Sequence, residues 1–396
     1  MNSTIQPDMA GIERDLTDLS GLQSEKWRNY GKDVIPAFVA EMDFSVAEPV
    51  RQALSTRLQQ QDFGYPLPGG HSATARLAQA YADRAQSRFG WQPDPAHVVC
   101  LGDLVQGMYA TVLAFTAPGD GVIALVPSYP RIMSSVEANQ RILLPLEMRD
   151  NGERMVFDAD ELDTLAARAR MLILCNPHNP SGRVLDREEL QVIAECAERH
   201  DLLVVVDEVH ADLVYPGHEH IAFASLSPEL AARTVTLYSA TKSFNLPGLR
   251  CAFAAFGSAA LFNRFSQHIP PRLLGDPNVF GMDATLAAWE QGDEWLTTVL
   301  AHLQRSRDHL VKRISTEMPG VRLYKPEATY LAWLDCRGLN LDVPAARYFL
   351  QQARVALSPG QAFLPGAEQF VRLNFAASSS LLDRIVDQMV SAVQHG

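Results

Sequence analysis

The sequence predicts an α/β fold: a large domain on a mostly parallel seven-stranded sheet, joined to a smaller α+β domain. Seven short apolar runs carry that prediction, at 97–101 (HVVCL), 121–127 (GVIALVP), 141–146 (RILLPL), 171–177 (MLILCNP), 202–208 (LLVVVDE), 234–240 (TVTLYSA) and 251–257 (CAFAAFG). Most do not alternate apolar with polar residues, which is the pattern of strands covered on both faces by helices. Helical periodicity fills several of the gaps between them, and strands alternating with helices make a mostly parallel sheet. After about residue 260 the texture changes to a long helical segment followed by short β-like pieces.

Taken in chain order, the elements have local reasons. Pro66-Leu67-Pro68-Gly69-Gly70 marks a loop between the amino-terminal region and the main domain. Val105, Met108, Tyr109, Val112 and Leu113 follow the i, i+3, i+4, i+7, i+8 stripe of an amphipathic helix. Asp186 with Glu189 resembles a capping start for the helix that leads to His200. A long helix is expected over 283–317, strands at Tyr330 to Leu334 and Phe370 to Phe375, and a terminal helix from Ser380. The expected division is a large domain over 46–282 and a small one formed by 1–45 and 283–396.

At 396 residues and 47% hydrophobic, the chain can bury a large core and split into two domains. A formal net charge of −12 argues against nucleic acid, whose phosphates demand clustered Lys and Arg. No apolar run reaches the ~18 residues of a membrane span, and residues 1–15 lack the apolar stretch of a signal peptide. Cys100, Cys175, Cys196, Cys251 and Cys336 are odd in number and scattered without a C-x-x-C. Reduced thiols and a cytoplasmic location are expected. The eleven histidines offer no metal-ligand spacing, and no metal is expected.

The chemistry sits at the ends of three apolar runs. One ends in Asn176-Pro177-His178-Asn179-Pro180-Ser181-Gly182, the next in Asp207-Glu208, and the third in Ser239-Ala240-Thr241-Lys242. The carboxyl ends of parallel strands are where such sheets bind ligands. An amide, a carboxylate and an amine placed there suit pyridoxal 5′-phosphate. The amine forms a Schiff base with the aldehyde, the carboxylate keeps the pyridine nitrogen protonated, and the amide bonds the ring oxygen.

Each residue alone has an ordinary reading. Lys242 is a surface amine, Asp207 the partner of some arginine, Arg250 a solvated cation, and Arg372 half of a structural ion pair. Two rival motifs fail on their second element. Ser239-x-x-Lys242 fits an acyl-enzyme, but neither S-D-N nor K-T-G occurs. Leu202 to Glu208 mimics a Walker B strand, but no G-x-x-x-x-G-K-[ST] accompanies it. The ordered set carries the weight instead. A pyridinium offsets the cost of burying Asp207. Arg250 is suited to hold a phosphate bidentately, and the N–H groups of Leu104 and Val105 open a helix that could hold it too. Asp103, an anion beside an anion, is awkward there. Tyr129 follows a strand end and is suited to stack on the ring. Arg372, between apolar neighbours, is a candidate clamp for a substrate carboxylate.

With these residues in place the chain resembles the fold-type I pyridoxal phosphate enzymes, the class I/II aminotransferase superfamily, over nearly its whole length. Finer marks are similar to its cystathionine β-lyase and cysteine-S-conjugate β-lyase branch: Val39-Ala-Glu-Met-Asp-Phe44, Phe63-Gly-Tyr65-Pro66, Asn176-Pro-His-Asn-Pro180, Asp207-Glu-Val-His210-Ala-Asp-Leu213 and Thr241-Lys-Ser-Phe-Asn-Leu246. The resemblance implies Lys242 as Schiff-base and proton-shuttling lysine, Asp207 on the pyridine nitrogen and Asn179 on the ring oxygen, with His210 beside it. It implies Tyr129 on the ring face, and Leu104, Val105, Ser239 and Arg250 around the phosphate. Arg372, with Asn179 and Tyr129, would meet an amino-acid substrate, and His178 would only pack. Tyr65 would reach the phosphate of a neighbouring subunit, so a homodimer with shared sites is implied.

Three residues depart from the branch. Asp103 stands where glycine is usual, Glu41 replaces an aspartate, and Arg250 replaces an uncharged residue, as in aminotransferases. The implied activity is α,β-elimination from cystathionine or an L-cysteine S-conjugate, giving a thiol, pyruvate and ammonia. Transamination, a decarboxylating or oxidative reaction on the same scaffold, and a non-catalytic regulatory role are the alternatives.

Overall fold

The structure is a computed structural model and describes residues 9–67 and 73–395. The chain forms two compact units. The larger comprises Glu48–Asn179 and Arg183–Gly292. Its sheet has seven strands: β1 (Val98–Leu101), β2 (Gly121–Val126), β3 (Ile142–Glu147), β4 (Ala169–Cys175), β5 (Leu203–Asp207), β6 (Thr234–Tyr238) and β7 (Ala252–Phe256). These are the seven apolar runs read from the sequence. Their order across the sheet is β1-β7-β6-β5-β4-β2-β3, with β7 antiparallel to both neighbours and every other pair parallel. Strands β2, β6 and β7 are buried along their whole length, whereas the edge strand β3 alternates and exposes Ile142 and Glu147.

The helices of this unit longer than one turn are α1 (Glu48–Gln60), α2 (Ala73–Phe89), α3 (Leu104–Phe115), α4 (Pro130–Ala138), α5 (Ala159–Ala166), α6 (Arg187–Arg199), α7 (Ala259–His268) and α8 (Val279–Gln291). Helix α3 is rotated relative to the stripe expected from its sequence. Gly107, Met108, Thr111, Val112 and Phe115 are buried, Val105 and Tyr109 are half-buried, and Leu113 is 45% exposed. The cause is Gly107, the point of closest approach to the sheet. A Cβ there would lie 2.6 Å from Leu101 Cδ1 and 3.2 Å from Leu237 Cδ2, so the face centred on the glycine turns inward. Helix α6 opens with the capping box that Asp186 and Glu189 announce. The long helix expected over 283–317 is two helices that part at Gly292. The first, α8, packs on α1 and α2 within the larger unit, and the division expected at 282/283 falls inside it. Of the proline–glycine turn, Pro68, Gly69 and Gly70 lie outside the described residues.

The smaller unit takes in the amino-terminal stretch through Ala47, Pro180–Gly182, and the chain from Asp293 onward. Strands β8 (Arg322–Leu323), β9 (Leu331–Asp335), β10 (Ser358–Pro359) and β11 (Phe370–Asn374) make an antiparallel sheet in the order β8-β9-β11-β10. Helices α9 (Asp293–Glu317) and α10 (Ser379–His395) pack against each other beside it. Among the described residues no helix is long and apolar enough to cross a membrane.

Candidate active site

Asp207 is the last residue of β5, opposite Cys175 on β4 and Leu237 on β6. Only 3% of it is exposed, and its Oδ1 accepts the Val209 N–H at 3.1 Å. Burial pushes this carboxyl up to about 7; the Val209 N–H and the charge of Lys242 pull the other way, and Glu208 adds to the rise. A carboxyl in this state becomes a full anion at neutral pH only beside a further fixed cation.

Lys242 lies four residues beyond the end of β6, half-buried, in a single helical turn closed by the Phe244 N–H on the Ala240 carbonyl (3.0 Å) and the Leu246 N–H on the Thr241 carbonyl (2.9 Å). Because β5 and β6 are parallel neighbours, the two chain exits that carry Asp207 and Lys242 leave the same end of the sheet. Ser239 caps the turn. Its Oγ accepts the Thr241 N–H at 3.1 Å and donates to the Cys251 carbonyl at 2.6 Å.

Arg250 meets Asp103 for a topological reason. Strand β7 runs antiparallel to β1 with Ala252 opposite Leu101, so the residues entering β7 lie beside those leaving β1. Arg250, at φ +48°, donates from Nη1 to Asp103 Oδ2 at 3.2 Å. Asp103 is also the N-cap of α3, its Oδ1 accepting the Gln106 N–H at 2.8 Å. Leu104 and Val105 follow as the first turn, whose N–H groups precede the first intrahelical bond. The anion that looked awkward beside a phosphate therefore caps the helix and engages the arginine.

Tyr129, Asn179, His178 and His210 follow β2, β4 and β5, whose parallel strands leave the same end of the sheet. Tyr129, half-buried, follows β2 as the N-cap of α4. Asn179 is 6% exposed and follows β4 by four residues; the Asn176 N–H of that segment bonds the Asp207 carbonyl at 3.0 Å. His210 is buried at the head of the 3-10 turn Ala211–Leu213. His178 is buried as well, and burial, then the charge of Arg183, lowers it to about 3, so it is a neutral ring. Tyr65 stands fully exposed on the chain. Arg372 belongs to the smaller unit, on β11 opposite Trp333 and Ser358. It is 6% exposed, donates from Nη2 to the Phe38 carbonyl (2.9 Å) and Ser358 Oγ (3.2 Å), and lies over the Phe363 ring at 4.8 Å.

Sequence reasoning missed several polar groups. Glu208, the neighbour of Asp207, turns into the interior, where it accepts the Phe223 N–H at 3.2 Å and lies 3.5 Å from His220 Nε2. Arg84, Asp212 and Tyr238 form a second buried cluster. Asp163, Cys196 and His200 also converge, with ligand atoms within 4.8 Å of one another. Arg199 and His200 already bond that carboxylate, and burial raises the Cys196 thiol away from the thiolate a metal needs.

The donor set fits pyridoxal 5′-phosphate. A buried carboxyl calls for a cation at the end of β5, an amine stands at the end of β6, and an arginine joins a helix amino terminus at the end of β1. Comparisons with known proteins bear on the same question. Cystathionine beta-lyase PatB of Bacillus subtilis is 34% identical over 370 residues, covering 91% of this chain and 94% of that protein. The crystal structure of OvoB superposes with a TM-score of 0.89 at 36% identity, over 97% of this chain and 98% of that one. A putative PLP-dependent beta-cystathionase from Corynebacterium diphtheriae gives 0.90 at 32% identity, over 97% and 100%. The family model for aminotransferase class I and II matches residues 37–389. The chain belongs to the aminotransferase class I and II family.

Proposed function

We propose that the protein is a pyridoxal 5′-phosphate-dependent carbon–sulfur β-lyase acting on cystathionine or an L-cysteine S-conjugate. The observation that carries the cofactor is the buried Asp207 carboxyl, pushed up to about 7 at a strand end next to the one that leads to Lys242. Elimination is favoured over other outcomes by the B. subtilis relative, named as a cystathionine β-lyase.

Each residue has an assigned task in this reading. When bound, pyridoxal phosphate supplies an electron sink for the pair left at the substrate Cα. Asp207 holds a proton on the pyridine nitrogen, its negative charge stabilised by the cation it faces. Asn179 donates to the ring oxygen beside His210, and Tyr129 covers the ring face. The first-turn N–H groups of Leu104 and Val105, with Ser239 and Arg250, hold the phosphate. Arg372 holds the substrate α-carboxylate. Lys242, the amine that would hold the cofactor, would take the substrate Cα proton as general base. The Cβ–S bond then breaks, and its electron pair leaves with sulfur as a thiolate. Water hydrolyses the released enamine to pyruvate and ammonia.

We further propose a cytoplasmic homodimer in which Tyr65 reaches the phosphate of the second copy. Five buried thiols without a disulfide suit a reducing compartment. The exposed Phe63, Tyr65 and Leu67 give one short segment an apolar surface that suits an interface. Transamination is the second reading, and Arg250 is the feature on its side. Incubating the purified protein with L-cystathionine separates the two. The lyase gives pyruvate and thiol in equal amounts with the cofactor unchanged, whereas a transaminase converts the cofactor to its amine form without releasing thiol.

A further inference from the structure

Arg84, Asp212 and Tyr238 lie in the interior of the larger unit, behind the turn that carries Lys242. Arg84 comes from α2, Asp212 from the 3-10 turn five residues after Asp207, and Tyr238 from the last position of β6, four residues before Lys242. Arg84 Nη2 donates to Asp212 Oδ1 at 2.7 Å, with the two side chains 5% and 1% exposed. The Tyr238 hydroxyl donates to Asp212 Oδ2. The Arg84 guanidinium lies over the Phe244 ring, 5.4 Å from its centroid and two residues beyond Lys242. Tyr238 is walled in by Tyr81, Trp289 and Phe89, with ring centroids 5.3, 5.9 and 6.0 Å away.

The charges are fixed. Burial works against the Arg84 cation, but the Asp212 carboxylate and Tyr238 together outweigh it and hold the guanidinium charged. Burial, then the Asp212 charge, raises the Tyr238 phenol far above its usual range, so its O–H stays a donor. Taking an ion pair out of water costs about as much as the pairing returns, so this cluster is a poor source of stability. Its geometry links two segments instead. One carboxylate, on the segment that leaves Asp207, is bonded to the residue before the Lys242 turn, and its arginine lies on a residue inside that turn.

We propose that Arg84, Asp212 and Tyr238 are positioning residues that set the reach of Lys242 relative to Asp207. The proposal rests on the roles assigned to those two residues above. An amine that must both bond the cofactor and take a proton from Cα tolerates little displacement, since about 1 Å of misplacement costs on the order of 100-fold in rate.

The test uses three mild variants of the cofactor-loaded enzyme, Tyr238→Phe, Asp212→Asn and Phe244→Leu, so that it does not depend on one of them folding. Each is read for the pH midpoint of the visible band of the lysine-bound cofactor, for kcat and KM separately, and for melting temperature. The expected result is a midpoint moved by half a pH unit or more (~0.5), with kcat down about tenfold or more and KM within about twofold. The Tyr238→Phe and Asp212→Asn effects on kcat should not add, because both break the same link. Variants that melt earlier while keeping the wild-type midpoint and kcat would show a merely structural cluster and overturn the proposal. A wild-type protein that shows no such band would instead remove the cofactor reading beneath it.

Discussion

Asp207 makes a prediction about the protein stripped of its cofactor. Its carboxyl ionises near the ordinary aspartate value of 3.8 in the unfolded chain and at about 7 in the folded one. Below pH 3.8 both states are protonated and no stability is lost. Between those values the folded state holds a proton that the unfolded state has released, so stability falls as pH rises, by about 1.4 kcal/mol per pH unit. Above about pH 7 the loss is complete. From pH 5 to 8 roughly two units of that range remain, or about 3 kcal/mol. With an unfolding entropy of about 2 cal/mol/K per residue over 396 residues, this is roughly 4 °C of melting temperature. Thermal melts of the apoprotein and of Asp207→Asn across this range isolate the contribution, since the amide does not titrate. The wild-type curve should fall relative to the variant's, and the difference should shrink once pyridoxal phosphate supplies a pyridinium to the carboxylate. Parallel apoprotein curves would refute the reasoning, because Asp207 would then be ionised throughout by a partner of its own.

Three other residues give further predictions. Asp103→Asn keeps an N-cap acceptor but removes an anion from the amino terminus of α3, where we propose the phosphate binds, so cofactor affinity measured by fluorescence titration should tighten by about fivefold, ~1 kcal/mol. Arg372→Ala should raise KM for amino-acid substrates by the equivalent of about 2–5 kcal/mol while leaving the resting cofactor spectrum alone; unchanged kinetics would make Arg372 structural. Two inactive variants, Tyr65→Ala and Lys242→Ala, should regain activity when mixed and allowed to exchange, because one site of the mixed dimer has both residues. No recovery despite demonstrated exchange would count against a shared site.

Much of this architecture is legible in the chain because parallel strands buried on both faces leave continuous apolar runs, and their ends are punctuated by polar residues. That is why the chain alone puts Asn179, Asp207 and Lys242 at the ends of successive strands, which are neighbours in the sheet. The phase of α3 was not legible, since a glycine at the closest approach carries no hydrophobic signal and Gly107 hides the buried face. Nor was the break at Gly292, where the helical pattern resumes at once. The Asp103–Arg250 contact needs the antiparallel direction of β7, which no periodicity reports. Arg84 reads as one more solvated arginine on a helix; its partner lies 128 positions away, and only the fold brings the pair together.

The most direct measurement is borohydride reduction of the cofactor-loaded protein, followed by proteolysis and mass spectrometry of the modified peptide. Lys242 is one of five lysines in 396 residues, so the site can be assigned without ambiguity. A single phosphopyridoxyl adduct on Lys242 and loss of the visible band in the same step are expected. An adduct on Lys26, Lys32, Lys312 or Lys325 with Lys242 unmodified, or a colourless protein that takes up no cofactor, would contradict the assignment.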